Sequence, residues 1–278
     1  MEQRDRIIVV TGASSGIGNA CATYLAKRGH RVYGTCRTPS AFIKKADEFF
    51  EMIPLDMTTS ASIERAITSI LEKEGHIDVL VCNAGIGIAG SIEETTEDEI
   101  ALQMNTNLMG TIRCVKTVLP AMRQRGQGKI IVISSIAGLI GMPFQAFYSA
   151  SKFALEGFVE SLRYETRSFG IQSCLIEPGD FHTGFTKARQ IIAVYAKNPA
   201  ASPYRALCEA ALGIQIRDET SGADPLLVAR LVHNLIGYKR LSIRYTVGPA
   251  FQRFAAFAKR IMPERLIELA FRKVYKLP

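Results

Sequence analysis

Short apolar runs alternate with stretches of helical period along most of the chain. Arg6–Val10 reads as a strand and Gly16–Arg28 as a helix, then Arg31–Cys36 as a strand and Ser40–Phe49 as a helix. The alternation continues with strand Met52–Leu55, helix Ile63–Glu74, strand Ile77–Cys82 and a long helix over Glu97–Arg125. Strand Lys129–Ser134, helix Phe147–Ser168 and strand Gln172–Glu177 complete it. Strands that recur with helices between them require parallel pairing and right-handed crossovers. These strands are apolar almost throughout, as strands covered on both faces must be. The pattern predicts an α/β fold with an open, doubly wound, mostly parallel sheet.

After Pro178 the rhythm changes. Thr183 to Asp224 carries no strand pattern, only two helical stretches separated by Asn198-Pro199 and Ser202-Pro203. Pro225–Tyr238 reads as a helix with Asp224 as N-cap and Pro at its first position. Leu241–Val247 reads as one more strand, and Pro249–Leu277 as two amphipathic helices broken at Pro263. One domain spanning 1–278 is expected, with a helical lid insertion near 184–222 and a C-terminal extension near 249–278.

Composition adds exclusions. With 278 residues, 47% hydrophobic and 22% charged, the chain is neither disordered nor a disulfide-dense miniature. The apolar run Ile7–Val10 is too short for a signal peptide. The longest uncharged stretch, Ile130–Ser151, is interrupted by Gly138, Gly141, Pro143 and several serines, and reads as strand, loop and helix start rather than a membrane span. Cys21, Cys36, Cys82, Cys114, Cys174 and Cys208 form no CxxC and no metal-ligand spacing with histidine. They fit reduced thiols in a cytoplasmic compartment and no metal site. The charge is uneven: the whole excess of +8 falls in residues 239–278, which hold ten basic and two acidic side chains. No nucleic-acid recognition motif accompanies them.

Three motifs carry chemistry. Thr11-Gly12-Ala13-Ser14-Ser15-Gly16-Ile17-Gly18 joins the first strand to the first helix. Gly12 suits a tight turn, Gly16 lets backbone approach a pyrophosphate, and Gly18 lets helix and strand pack closely, with the helix N-terminus facing the phosphates. The second strand ends Gly34-Thr35-Cys36-Arg37-Thr38, with no acid where NAD-binding folds place one. Arg37 is the cation expected to hold a 2′-phosphate, which points to NADP(H) over NAD(H). Tyr148 and Lys152, four apart on a helix, share a face. An ammonium beside a phenol favours phenolate, so the pair predicts a lowered phenol pKa and a general acid/base for an alcohol/carbonyl pair. Ser135 ends a strand thirteen residues earlier, Asn83-Ala84-Gly85 ends another, and Asn107 follows in the long helix. All lie where doubly wound sheets bind ligands.

Together with Leu55-Asp56-Met57-Thr58 and Pro178-Gly179-Asp180-Phe181-His182-Thr183, these motifs resemble the short-chain dehydrogenase/reductase family over about residues 5–190. The resemblance implies a Rossmann-type oxidoreductase with Asn107, Ser135, Tyr148 and Lys152 as catalytic tetrad. In it Asp56 meets the adenine, Asn83 with Ala84 and Gly85 forms the cofactor-side sheet edge, and Pro178, Gly179 and Thr183 line the nicotinamide side. Lys152 grips the nicotinamide ribose and Asn107 holds a water linking Lys152 to solvent. The tail and Arg37 look like the 17β-hydroxysteroid and retinol dehydrogenase branch, which implies a lipophilic alcohol or ketone such as a steroid or retinoid. A 3-oxoacyl thioester reductase and a non-catalytic NADPH-sensing protein are the competing readings. The family also implies a homodimer or homotetramer. In the tail, Phe254, Phe257, Ala258, Ile261 and Met262, then Leu266, Ile267, Ala270, Phe271 and Val274, mark an apolar face. It reads as a cover for the pocket or a partner subunit, or as a peripheral membrane contact.

Overall fold

Seven apolar runs pair into one all-parallel sheet in the computed structural model, which describes residues 5–39, 49–197, 202–259 and 261–278. In chain order they are β1 (Ile7–Val10), β2 (Arg31–Cys36), β3 (Glu51–Pro54), β4 (Val79–Cys82), β6 (Gly128–Ile133), β7 (Ile171–Pro178) and β9 (Arg244–Val247). They lie in the order β3-β2-β1-β4-β6-β7-β9. Ile8 pairs with Val32 on one side and Val79 on the other. Between β1 and β4 the chain changes its direction of winding, and a crevice opens there at the carboxyl edge of such a sheet.

Successive residues of a strand point to opposite faces, and here both faces are apolar. Ile7 and Val9 pack with helices α2 (Ser60–Glu74), α4 (Gly110–Arg125) and α5 (Ala146–Thr166). Ile8 and Val10 pack on the other side with α1 (Gly16–Ala26) and α9 (Leu226–Gly237). This two-sided burial is the reason the strands show no polar alternation. The doubly wound α/β architecture expected from the pattern is present, with every strand of the main sheet parallel.

Three local differences from the sequence reading have physical causes. A two-residue strand, β8 (Gln190–Ile191), pairs with β5 (Ile88–Ala89) inside the stretch read as strand-free. Two residues are too few to show a period. The long helix is two helices, α3 (Glu97–Met104) and α4, joined by a π-helical turn over Asn105–Met109 in which the Gly110 N–H reaches the Asn105 carbonyl. Side-chain periodicity does not register one extra residue in a turn. Helix α9 starts at Leu226, one residue later than expected, and the Asp224 carboxylate accepts the Leu226 N–H at 2.8 Å. At its other end Lys129 Nζ donates to the carbonyls of Leu235, Ile236 and Tyr238 at 2.7–2.8 Å. The helix expected over Ser40–Phe49 lies, except for Phe49, outside the described residues.

The lid region holds α6 (Phe185–Ala188), α7 (Ala193–Lys197) and α8 (Arg205–Thr220). Ile192 and Tyr195 are buried there with Cys208 and Leu212. The tail forms α10 (Ala250–Ala258) and α11 (Glu264–Tyr275), broken at Pro263 as expected. Among the described residues no helix is long and apolar enough to cross a membrane, and no group of His, Cys, Asp and Glu is arranged to hold a metal.

Candidate active site

The loop after β1 is held from beneath by its neighbour. The Asn83 amide donates to the carbonyls of Thr11 and Gly12 at 2.9 and 3.2 Å. The Thr11 hydroxyl in turn accepts the backbone N–H groups of Asn83 and Ala84 at 2.9 and 3.0 Å. Gly12 takes φ +67°, and a Cβ there would stand 2.8 Å from the Ala84 Cα. A Cβ on Gly18 would strike the Asn83 amide and the Gly12 carbonyl. The two glycines thus let β1, β4 and α1 converge. The Ser15 N-cap side chain makes no capping bond. The first N–H groups of α1 are therefore left for an anion.

A cleft of about 540 Å³ runs from this loop across the sheet edge. Of the residues expected to act in catalysis or cofactor binding, all line it except Gly18 and Asn107. Gly18 does packing instead. Arg37 stands exposed at the far end beside Asp56, whose carboxylate accepts the Thr58 N–H and hydroxyl at 2.8 and 2.7 Å. Those bonds, with Arg37 adding to them, hold the Asp56 carboxyl below the usual range. An unfilled helix N-terminus, a glycine cradle that a side chain would fill and a basic end suit a nucleotide with phosphates at both places.

At the other end of the cleft Ser135, Tyr148 and Lys152 meet. Tyr148 lies in the first turn of α5, and the Ser135 side chain at the same cleft wall favours its ionised form. Lys152 Nζ lies 5.7 Å from the Tyr148 ring centroid and donates to the Ile133 carbonyl at 2.9 Å. The lowered phenol pKa expected from this pair is not found. Burial pushes the phenol up to about 12 despite the opposing effect of Ser135, and pushes the Lys152 ammonium down to about 8. Spacing places the two groups together, but it says nothing of how dry their surroundings are.

Asn107 sits in the π turn, fully buried and off the cleft wall. Its side chain accepts the Ile86 N–H at 2.8 Å and donates to the Ile86 carbonyl at 3.0 Å and to Ser151 at 3.2 Å. Ser151 donates to the Tyr148 carbonyl at 2.7 Å. Asn107 therefore ties the wall beside the site to the helix carrying Tyr148.

Several residues of the site were not legible in the sequence. Gln103, buried on α3, holds Ile86 and Ile88 through their backbone. Glu219 on α8 pairs with Arg189 and accepts from Thr186 at 2.7 Å. The Phe185 ring lies 5.8 Å from Tyr148, and Asp180, pushed up to about 6 by burial, lines the same end. Asp180 and Phe185 carried a motif and a lid signal but no role. A single Gln or Glu within an amphipathic helix gives no signal at all.

A parallel sheet with a phosphate-type loop at its switch point and a Ser-Tyr-Lys group beside it defines a dinucleotide-type oxidoreductase site. The short chain dehydrogenase family profile matches residues 6–191, and the chain belongs to that family. It is 42% identical to 3-ketodihydrosphingosine reductase of Bacteroides thetaiotaomicron over 272 residues, 98% of each chain. It is 40% identical to human 17-beta-hydroxysteroid dehydrogenase type 1 over 191 residues, 64% of this chain and 58% of that one. A solved short-chain dehydrogenase from Streptomyces avermitilis superposes with TM-score 0.81 at 28% identity, covering 99% of both chains.

Proposed function

We propose that this oxidoreductase uses NADP(H) to interconvert a ketone and a secondary alcohol on a lipophilic substrate, and that the substrate is a long-chain ketone of the 3-ketodihydrosphingosine kind in preference to a steroid or retinoid. The observation that carries the chemistry is the meeting of Ser135, Tyr148 and Lys152 on one cleft wall. The near end-to-end match to a reductase named for that ketone favours the substrate class, and Phe185, Met142 and Ile86 give the adjoining wall its apolar character.

The dinucleotide, when bound, supplies or takes the hydride. Ser135 donates to the carbonyl oxygen and orients it. Tyr148, protonated across the neutral range, delivers a proton to that oxygen in reduction and takes it back in oxidation. The Lys152 ammonium lies beside Tyr148 and favours its ionised form. Arg37 holds a 2′-phosphate, with Ser14 and Ser15 at the loop. Six unpaired cysteines, five of them buried, accord with a cytoplasmic setting. Exposed Phe153 and Tyr164 on α5 and Met109 before α4 supply an apolar face for a homodimer.

Cofactor oxidation is the test, with 3-ketodihydrosphingosine, a steroid ketone and retinal offered separately with NADPH and NADH. The expected result is turnover of the long-chain ketone with NADPH, lost in Tyr148→Phe. No turnover of any of the three overturns the proposal, and faster turnover of the steroid overturns its substrate class.

A further inference from the structure

The tail helices leave most of the apolar face that their sequence advertises exposed. On α10 the side chains turned to the protein are Gln252, Ala255, Ala256 and Ala258, while Phe251, Phe254 and Phe257 are 72%, 64% and 57% exposed. Ile261 and Met262 continue the exposed strip to α11, where Leu266, Leu269 and Val274 are exposed as well. On that helix only one edge, Ile267, Phe271 and Tyr275, turns inward. Eight of the nineteen large apolar side chains exposed among the described residues thus fall in the last 28 positions. Contiguous exposed apolar surface on this scale marks an interaction site.

The surroundings of the strip say what it meets. Arg253, Arg265, Arg272, Lys273 and Lys276 stand exposed around it, and residues 249–278 hold seven basic and two acidic side chains. A second copy would bring an equal positive field against this one. An anionic lipid surface offers apolar depth for the phenylalanines and phosphate for the cations. The tail also flanks the substrate end of the cleft. Gln252 bonds both the backbone N–H and the carboxylate of Asp180 on the cleft wall. Phe271 and Tyr275 pack near Met142, another cleft residue.

We infer that α10 and α11 form a docking surface for an anionic bilayer, which sets the substrate end of the cleft against the membrane. Resting on the lipophilic substrate proposed above, this lets a ketone pass from lipid to Tyr148 without crossing water. Full-length protein is sedimented with phosphatidylcholine vesicles containing about one-third phosphatidylglycerol, and with vesicles of phosphatidylcholine alone. Two variants are compared, Phe254→Ser with Phe257→Ser, and Arg265→Gln with Arg272→Gln and Lys273→Gln. These side chains are exposed, and circular dichroism checks that each variant is folded.

The expected result is binding to anionic vesicles only, weakened by salt and reduced about tenfold or more in both variants. Absence of binding to the anionic vesicles overturns the inference. So does equal binding to neutral vesicles, or binding unchanged in either variant. A fall in mass by light scattering in the phenylalanine variant, without vesicle binding by the wild type, assigns the surface to a second copy instead. The substrate reading is separated by kinetics. The phenylalanine variant is expected to raise KM for ketone presented in vesicles and to leave turnover of a short water-soluble ketone unchanged. Vesicle binding without ketone turnover defeats the proposed reaction alone.

Discussion

Asn107 holds Ile86 by both its backbone groups, accepting the N–H at 2.8 Å and donating to the carbonyl at 3.0 Å. Gln103 also donates to that carbonyl, at 2.6 Å. Removing the Asn107 amide therefore orphans the N–H more than the carbonyl. Asn107→Ala is expected to cost about 1–3 kcal/mol, the penalty for a buried group without a partner. Turnover falls with it, because Ile86 lines the cleft and Ser151 loses its link to the π turn. Urea unfolding and steady-state kinetics on the same preparation check both.

The burial of Lys152 beside Tyr148 sets the expected pH behaviour. Burial holds the phenol at about 12 and the Lys152 ammonium at about 8. In reduction Tyr148 must be protonated, and it is, throughout the working range. Lys152 has a lowered pKa, so its charge is present below about 8 and lost above it. Ketone reduction is expected to be flat at neutral pH and to fall above about 8. Lys152→Arg, whose guanidinium stays charged, removes that alkaline limb even where it lowers the rate. A limb unchanged in Lys152→Arg assigns it to another group. Tyr148→Phe should lower turnover by about 10²–10⁴-fold or more with the fold intact.

On the proposed NADP(H) reading, cofactor choice rests on Arg37. It stands exposed at the nucleotide end beside Asp56, whose carboxylate is occupied by Thr58. A charge-assisted contact to a 2′-phosphate is worth about 1.5–3 kcal/mol, or roughly 10–150-fold. Arg37→Ala should erase most of the preference for NADPH over NADH in fluorescence titration. Equal affinities for the two cofactors in the wild type would sink the assignment.

The frame of this molecule was readable because its strands are buried on both faces. Ile7 and Val9 feed one core and Ile8 and Val10 the other, so each strand appears as an unbroken apolar run bounded by turns. The glycine loop, Arg37, Ser135, Tyr148 and Lys152 were readable because each has a fixed place relative to a strand end. The role of Asn107 depends on a π turn that helical period does not reveal. Gln103, Glu219 and Gln252 reach the site from helices whose docking is set by tertiary packing. In the tail the period was right, but most of the apolar stripe is exposed: on α10 the three phenylalanines face outward and small or polar side chains make the contact. Period alone does not say which face a helix buries.

Behind Lys152 lies a second cluster, and its cation comes from the last strand of the sheet. Arg244 on β9 bonds Glu156 at 2.8 Å, lies 3.4 Å from Glu177, and pairs with Glu160. Glu156 and Glu177 are buried; Glu156 also accepts from Ser134 and Glu177 from Thr246, both at 2.6 Å. Glu156 lies one turn beyond Lys152 on α5, and Ser134 immediately precedes Ser135, so the cluster backs the active site. Burial and the nearby Glu177 already raise the Glu156 carboxyl, and Arg244 opposes them. Arg244→Met would leave two buried carboxylates facing each other without a cation, a loss of about 3–5 kcal/mol. A carboxyl whose folded pKa is raised takes up a proton in the folded state that the unfolded chain does not. The resulting stability is present at low pH and lost as pH rises through the folded value. The deficit of Arg244→Met is thus expected to be largest near pH 8 and to shrink towards about pH 5. Adding Glu156→Gln, which removes one of the stranded charges, should recover part of the loss at pH near 8 and little at pH near 5. Urea unfolding of the three proteins at both pH values decides it. A deficit independent of pH would show that Arg244 acts through packing of its stem rather than through the charges it holds.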